Sequence, residues 1–264
     1  MKRFSSLIAI ALASIFVCTG MAHAGIGVRV TGPVSYISYG NWNDFADFLN
    51  DEAIPELGFS QTIDNINWVP EFGGEILVSP IPILDIGLGA GMMLKTADIS
   101  VSAAGETLTF THKLRAYPFT LTGYLEPPLP FGFAKPFVYG GVGLYYTKLI
   151  FEESYEGSLD NYSYEAELTK TGFGLHGGAG LEFSVFPMVS IDIGVKARWA
   201  KIKGFEGTAT DSEGAEEDVF LVFDEDIEGN PLYGPESVDY QGELDEGEVD
   251  LSGFGFVFGV KVMF

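Results

Sequence analysis

Apolar residues occupy alternate positions along several segments of the chain. The clearest example is residues 249–264, where Phe254, Phe256 and Phe258 alternate with glycine and valine, and Lys261 precedes the terminal Phe264. Because successive side chains of a β-strand point to opposite faces, this segment has one aromatic and aliphatic face and one face of mostly small residues. Large residues in lipid and small residues inside are typical of strands in a transmembrane β-barrel.

Seven further segments alternate in the same way, and they predict strands at residues 26–37, 72–79, 86–96, 107–125, 137–151, 171–185 and 189–203. In the fourth segment the first half directs His112 outward and Lys113 and Arg115 inward. The pattern then changes parity near Pro118, which predicts a β-bulge. Eight strands satisfy the even number of bacterial single-chain barrels. The predicted fold class is all-β: an eight-stranded antiparallel transmembrane β-barrel with long extracellular loops.

The connections between these strands differ in length. Three carry proline and are short, at residues 80–85, 126–135 and 186–188, as periplasmic turns are. The other four are residues 40–71, 102–106, 152–170 and 204–248, and three of them are long enough for extracellular loops. We therefore expect both termini in the periplasm. Residues 43–49 have the apolar spacing of a short amphipathic helix.

The first 24 residues have the pattern of a cleaved secretory signal peptide. Lys2 and Arg3 precede an apolar run at residues 7–17, and a small-residue cleavage site ends at Ala24. Residues 25–264 are then one outer-membrane barrel domain. Cleavage removes Cys18, the only cysteine, so neither a disulfide nor a thiol metal site is expected. The formal net charge of −23 disfavours nucleic-acid binding, which depends on Lys and Arg.

Three segments carry a resemblance to a known family. Residues 136–144 (PFVYGGVGL), residues 172–183 (GFGLHGGAGLEF) and the last strand resemble the small eight-stranded bacterial outer-membrane barrels of the OmpA, OmpX and OmpW kind. The resemblance implies insertion by the outer-membrane barrel assembly machinery. Gly259, Val262 and Phe264 match the family's assembly signal, although Val257 stands where a polar residue is usual. The fold alone implies no activity.

Charged residues are expected inside the barrel. Inward parity selects ten of them as a lumen charge network: Arg29, Glu75, Lys95, Lys113, Arg115, Glu182, Asp192, Lys196, Arg198 and Lys261. An eight-stranded barrel holds side chains rather than a wide pore, and buried charges require partners. The network is interpreted as structural, with a narrow anion-attracting or gated path as the alternative. Because the cations outnumber the acids, carboxylates from the loops are expected to complete the pairing.

An acidic segment and a basic rim are two further candidate sites. Residues 206–250 contain 17 Asp and Glu and no Lys or Arg, with the closest spacing at Asp224, Glu225, Asp226 and Glu228. Carboxylates suit Ca²⁺, so weak divalent binding is the alternative to a solvated acidic loop, and no other cofactor is expected. Lys148, Lys201 and Lys203 face outward at the extracellular strand ends. They are predicted to contact lipopolysaccharide, or else to be ordinary snorkelling lysines.

Enzymatic activity is not expected. Neither His112 nor His176 has a visible nucleophile and orienting group in the sequence around it. The predicted function is a monomeric integral outer-membrane protein with a non-catalytic envelope or surface role, either structural or through loops that bind lipopolysaccharide, ions or partners. The alternative is a narrow channel or transporter for small solutes. Apolar solutes are one option, because inward-facing Leu77, Met93, Tyr139 and Tyr145 add apolar surface.

Overall fold

The computed structural model describes residues 25–56, 61–103, 106–128, 134–157, 161–225, 231–237 and 245–264. The predicted signal peptide therefore lies outside the described residues and stays a prediction. The strands in this part are β1 (Gly25–Thr31), β2 (Val34–Ile37), β3 (Trp68–Ile81), β4 (Leu84–Ala103), β5 (Glu106–Leu125), β6 (Ala134–Glu156), β7 (Asn161–Phe186), β8 (Val189–Trp199), β9 (Lys201–Lys203), β10 (Glu206–Asp211), β11 (Glu216–Glu225), β12 (Pro231–Ser237), β13 (Glu248–Asp250) and β14 (Gly253–Met263).

Eight of these strands close into a ring of antiparallel pairs. Its order is β1, β3, β4, β5, β6, β7, β8 and β14, and β14 pairs back with β1. Strand β2 continues β1 in the same register, since Thr31 pairs with Gly259 and Val34 with Phe256. Strand β9 continues β8 against β13 in the same way. The predicted all-β, eight-stranded antiparallel barrel is confirmed.

The exterior of the ring is an apolar band. Exposed side chains on successive strands include Val28, Val30, Phe72, Ile76, Leu88, Phe119, Leu121, Val142, Leu144, Phe173, Leu175, Ile193, Val195, Phe256 and Phe258. A closed ring satisfies the backbone hydrogen bonds internally, which is what lipid requires. The band ends in an aromatic girdle, where Tyr117 stacks on Tyr146 with ring centroids 6.2 Å apart. We call this the loop end, and the opposite end the turn end.

Strands β4, β5, β6 and β7 continue beyond the girdle at the loop end, and three further strands join them there. Strand β7 pairs with β8 from Leu175 to Phe186, and farther out it pairs with β10 from Tyr164 to Thr169. Strands β11 and β12 extend this sheet. Much of the predicted loops at 152–170 and 204–248 is therefore strand. The acidic composition concealed the alternation in β11, where Val219 and Leu221 are buried.

A short helix fills the space inside this protruding sheet. Helix α1 (Asn41–Phe48) lies in the first long connection, close to the predicted helix, and a π-helical turn (Leu49–Ala53) follows it. Trp42 and Ala46 are completely buried. The turn into α1 uses two consecutive residues at positive φ, Tyr39 at 53° and Gly40 at 54°. For Tyr39 this left-handed conformation costs about 1–2 kcal/mol, so the packing of α1 must hold it.

The predicted bulge at Pro118 is wrong. Strand β5 keeps one register with β6 on both sides of it, since Tyr117, Pro118 and Phe119 pair in turn with Tyr146, Tyr145 and Leu144. The apolar pattern changes parity because the surroundings change. Below the girdle the outer face meets lipid, whereas above it the inner face packs against α1. His112 therefore points inward, and Lys113 and Arg115 point outward.

Glycines on the inner wall make room for aromatic rings of neighbouring strands. Tyr145 lies across Gly174, where a Cβ atom would stand 2.7 Å from the tyrosine ring and 2.7 Å from the Cβ atom of Ala200. The wall is as closely packed here as a protein core, so an added methyl group must displace the ring or the strand. The absence of a side chain at Gly174 therefore allows the Tyr145 ring to pack directly against the backbone of the wall.

We expect Gly174→Ala to lower the free energy of unfolding by about 1–3 kcal/mol, because overpacking forces a shift of neighbouring groups. The measurement is urea unfolding of the folded protein in lipid vesicles, followed by tryptophan fluorescence. Gly234→Ala is the matched control, since a Cβ atom there meets nothing within 4 Å. Equal unfolding midpoints for the two variants would contradict this account of the wall.

Candidate functional site: the filled lumen

The lumen at the turn end is closed by one lysine among three carboxylates. Lys261 on β14 donates to Asp85 at 2.8 Å, to Glu126 at 2.8 Å and to Glu182 at 2.9 Å. The side chains of Lys261, Asp85 and Glu182 are almost fully buried. An ammonium group has three protons to donate, so this arrangement uses all of them. The layer carries more negative than positive charge.

An arginine and two aromatic rings form the next layer. The Arg29 guanidinium lies 4.6 Å from the ring centroid of Tyr124 and 5.0 Å from that of Phe137, and both rings pack with Leu77. Its Nε atom lies 2.7 Å from a carboxylate oxygen of Asp192. The Nη1 atom of Arg29 lies 4.0 Å from a carboxylate oxygen of Glu75. Cation–π contact and ion pairing together hold Arg29 across the barrel.

A third layer joins three charges near the middle of the molecule. Glu71 accepts from Lys196 at 2.6 Å and from Arg198 at 2.9 Å. The Nε atom of Arg198 donates to the carbonyl of Leu251 at 2.7 Å. Both Glu71 and Arg198 are buried, so each needs the other as its counter-charge. This layer joins β3 to β8 across the lumen.

A polar cavity of about 70 Å³ lies between the second and third layers. Its wall includes Asp192, His176 and Thr122, and the Thr122 hydroxyl lies 3.0 Å from Nε2 of His176. This volume suits small polar species such as water rather than a solute of metabolite size. The cavity therefore separates two ion-paired layers of the lumen.

Above the third layer the lumen is apolar. Buried residues from the ring and from the first long connection share one cluster there: Ile37, Ile66, Met93, Ala97, Leu114, Ala116, Tyr145, Leu149, Leu168, Ala200 and Ile202. The ring centroid of Tyr145 lies 5.8 Å from the guanidinium of Arg198, so this ring links the apolar region to the third layer. The same apolar cluster continues outward to α1.

The outermost closure is an aromatic group that we call the cap cluster: Tyr39, Trp42, Phe110, His112, Phe151 and Tyr233. The ring of His112 lies between Trp42 and Phe151, with centroid distances of 4.4 Å to each. Its Nε2 atom is 2.8 Å from the Tyr39 hydroxyl. Burial lowers the pKa of His112 to about 3, and a backbone contact with Ile150 only partly opposes it. The imidazole is neutral at ordinary pH.

The lumen holds most of the predicted charge network. Arg29, Glu75, Glu182, Asp192, Lys196, Arg198 and Lys261 all belong to the three layers. Lys95 faces inward, but no carboxylate of the described residues lies within ion-pair distance of it. For Lys113 and Arg115 the prediction is wrong, because both point to the exterior. Sequence reasoning did not name Glu71, Asp85 and Glu126. They lie at the ends of the predicted connections 40–71, 80–85 and 126–135, from which carboxylates were expected to complete the pairing. Glu71 also shares the parity of Glu75 and could have been found.

The predicted basic rim divides into two groups. On β9, Lys201 contacts Glu248 at 2.9 Å and Asp250 at 3.4 Å, and Lys203 is 3.7 Å from Glu248. On β6, Lys148 pairs with Glu167, and Lys113 pairs with Glu152 on the same outer face. Arg115 on β5 lies directly opposite Lys148 on β6 in the strand register, two residues from the Tyr117–Tyr146 girdle. Among the described residues, no carboxylate lies within ion-pair distance of Arg115.

The acidic segment is only partly described. Asp224 and the backbone of Glu225 belong to β11, whereas Asp226 and Glu228 lie outside the described residues. In the part of the chain that the structure describes, no group of three or more His, Cys, Asp or Glu is placed to hold a metal. The Ca²⁺ site stays a prediction. The same part contains no helix with the length and apolar character needed to cross a membrane.

Neither a protein-family model nor a curated protein sequence matches this chain. Solved structures are similar to it. A major outer membrane protein from Thermus thermophilus is 10% identical over 90% of this chain and 99% of its own, with a TM-score of 0.44. The outer membrane protein OprG from Pseudomonas aeruginosa is 13% identical over 91% and 95%, also at 0.44. The outer membrane protease OmpT from Escherichia coli is 11% identical over 91% and 96%, at 0.29.

The closed ring and its apolar exterior identify an integral outer-membrane β-barrel. Three ion-paired layers and the cap cluster interrupt its lumen one above the other. The arrangement can hold the eight strands together through ion pairs that cross the lumen.

We expect Arg198→Ala to lower the free energy of unfolding by about 3–5 kcal/mol, because Glu71 keeps its burial and loses one of its two partners. The urea midpoint in lipid vesicles measures this loss. Arg115→Ala, which removes an exposed arginine from the same barrel, should change it by no more than about 0.5 kcal/mol. Similar losses in both variants would show that the layer is not a structural link.

Proposed function

We propose that this protein is a sealed outer-membrane barrel with a non-catalytic role at the cell envelope, its loop end facing outward and both termini in the periplasm. The observation that carries the proposal is the stack of closures inside the ring. Side chains on opposite walls bond directly across the lumen, as Lys261 does with Asp85 and Lys196 with Glu71. The protruding sheet at the other end then presents a folded surface.

The charge balance argues against an anion path. The described lumen contains six carboxylates, namely Glu71, Glu75, Asp85, Glu126, Glu182 and Asp192, and five cations, namely Arg29, Lys95, Lys196, Arg198 and Lys261. A selectivity filter for anions requires an excess of accessible positive charge. Here the cations of the three layers are engaged with carboxylates, so the network fits a structural role better.

A non-catalytic role is supported by the surroundings of the two histidines. The Thr122 hydroxyl and His176 are within hydrogen-bond distance, as a nucleophile and a base would be. Thr122 is 1% exposed, however, and it faces a cavity too small for a substrate. His112 contacts Tyr39 and aromatic rings within the cap cluster. Both imidazoles are placed as interior packing groups.

We expect the folded protein in planar lipid bilayers to show no steady ion conductance above that of the protein-free membrane. In the proposed sealed state the three layers block an aqueous path, and opening one would expose unpaired buried charges. Lys261→Ala is the useful comparison, because it removes the closure at the turn end and leaves the two layers above. Stable single-channel steps in the unaltered protein would overturn the sealed-barrel proposal in favour of the narrow channel.

A second candidate function is binding of lipopolysaccharide phosphates at the outer rim. The placement of Arg115 favours it, because this exposed guanidinium neighbours Lys148 and Lys113 just above the aromatic girdle. Guanidinium groups bind phosphate through paired, charge-assisted hydrogen bonds. Lys148 and Lys113 are ion-paired, as Lys201 and Lys203 are, but Arg115 has no carboxylate within ion-pair distance among the described residues. The proposed contact is therefore centred on Arg115 of β5 and includes only Lys148 from the predicted rim.

We expect Arg115→Gln to reduce the extra thermal stability that lipopolysaccharide-containing vesicles give over phosphatidylcholine vesicles, by about 1 kcal/mol. The measurement is the melting temperature of the barrel in each vesicle. Lys203→Gln is the matched control, since it removes a rim cation from the other group. If both variants keep the full lipopolysaccharide effect, the β5–β6 rim is not a phosphate site.

Assembly by the barrel machinery and the monomeric state are also part of the proposal. Phe264 ends the exterior stripe of β14 with its side chain 73% exposed, and its N–H donates to the carbonyl of Ile26 at 2.7 Å. The aromatic ring is therefore accessible at the turn end. Gly259 faces inward and Val262 outward along the same strand.

A further inference from the structure

The docking of α1 depends on an uncharged histidine. His112 is completely buried, and Trp42 of α1 covers one face of its ring. The Nε2 atom has one partner, the Tyr39 hydroxyl, and Nδ1 has no aligned hydrogen-bond partner among the described residues. A neutral imidazole has a single N–H, whereas an imidazolium has two. A protonated His112 would therefore place a positive charge among aromatic rings, with only the Tyr39 hydroxyl and a poorly aligned backbone contact at Ile150 to stabilise it.

No neighbouring group could neutralise a charge at this position. The groups around the ring are Trp42 from α1, Phe151 and the backbone of Ile150 from β6, Tyr233 from β12, and Tyr39. The only titratable groups among them are Tyr39 and Tyr233, and burial raises the pKa of both phenols above the ordinary value. Within the described part of the chain, no carboxylate contributes to the electrostatic surroundings of the imidazole.

The segment that carries α1 also has a strained hinge. Tyr39 supplies the hydroxyl bound to His112, and it adopts a positive φ directly before Gly40, which does the same. A tyrosine holds this conformation only while surrounding contacts enforce it. Loss of the contact with His112 removes one of them. The histidine, its hydroxyl partner and the hinge thus belong to one connected unit at the mouth of the barrel.

We propose that α1 is an acid-released plug: protonation of His112 undocks α1 from the cap cluster and opens the apolar upper part of the lumen to solvent. The three ion-paired layers below remain in place, so release exposes a cup rather than a pore. Trp42 and Ala46, both buried in the docked state, become accessible.

The direction of the pH effect follows from the two states. The docked state holds the His112 pKa at about 3, whereas a solvated imidazole titrates near 6.5. The undocked state therefore binds the proton more tightly, and acid favours it between these two values. Each pH unit below 6.5 multiplies the undocked-to-docked ratio by up to about tenfold. Between pH 7 and pH 4.5 the ratio rises by about 100-fold.

The test uses Trp42 as its own reporter. The chain has three tryptophans, and Trp68 and Trp199 lie exposed on the barrel exterior. In a Trp68→Phe, Trp199→Phe background the fluorescence comes from Trp42 alone. Acrylamide, an uncharged quencher, then measures its accessibility in lipid vesicles from pH 7.5 to pH 4. We expect the quenching constant to rise steeply as the pH falls below 6, and to reverse on neutralisation.

Three variants identify the responsible group. His112→Gln keeps a polar side chain near the Tyr39 hydroxyl and cannot titrate, so Trp42 should stay protected at every pH. His176→Gln, which removes the histidine of the lower cavity, should respond like the parent protein. Tyr39→Phe removes the hydroxyl that holds the neutral imidazole, so quenching should begin at higher pH. This third variant also keeps the test decisive if His112→Gln does not fold.

Two results would overturn the proposal. One is a quenching constant of the parent protein that stays flat down to pH 4 while the barrel remains folded. The other is an acid response that persists unchanged in His112→Gln, or that disappears in His176→Gln. Heat modifiability on electrophoresis, measured in parallel, separates release of α1 from unfolding of the whole barrel.

Discussion

The narrow interior of an eight-stranded ring is the constraint on which the rest of this structure depends. Side chains from opposite walls must meet within the lumen, so each inward charge needs its counter-charge within reach. Lys261 engages three carboxylates at once, and Glu71 engages two cations. Glycines such as Gly174 supply the remaining space for large rings. The filled lumen follows from this geometry, and the sealed state proposed for the protein follows from the filled lumen.

Alternation along the chain was sufficient to predict the ring, because lipid imposes one rule on every strand: the outer face is apolar. Residues such as Arg198 and Asp192 were placed correctly inside by parity alone. The same rule failed above the girdle, where Lys113 and Arg115 face water and the inner face at His112 packs against α1. A one-dimensional pattern records which face is apolar, but not whether lipid or protein covers it. The partners at Asp85 and Glu126 were missed because they lie where strands meet turns.

The protruding sheet shows how an acidic segment can still fold. In β11 the buried Val219 and Leu221 face the cluster beneath α1, while the carboxylates on the same strand remain in solvent. Hydrophobic burial on one face is enough to order such a strand, even though its mean composition suggests a solvated loop. The cap cluster closes this second core. Its rings cover both faces of His112 and the Tyr39 hydroxyl meets Nε2, so a neutral histidine can be buried there without a carboxylate partner.

The distribution of cations accounts for the marked negative charge of the outer part. Four of the basic side chains are engaged in the lumen layers, at Arg29, Lys196, Arg198 and Lys261, and others occupy the rim just above the apolar band. Exposed carboxylates lie on the outer strands, for example Glu206 on β10 and Glu216 and Glu217 on β11. Charge is thus sorted by depth: paired inside the barrel, mixed and largely ion-paired at the rim just above the apolar band, and negative beyond it. The proposed contact of Arg115 with lipopolysaccharide phosphates would then also fix the height of the barrel in the membrane, because moving it in either direction would take the rim cations away from the phosphates or bring the acidic strands toward them.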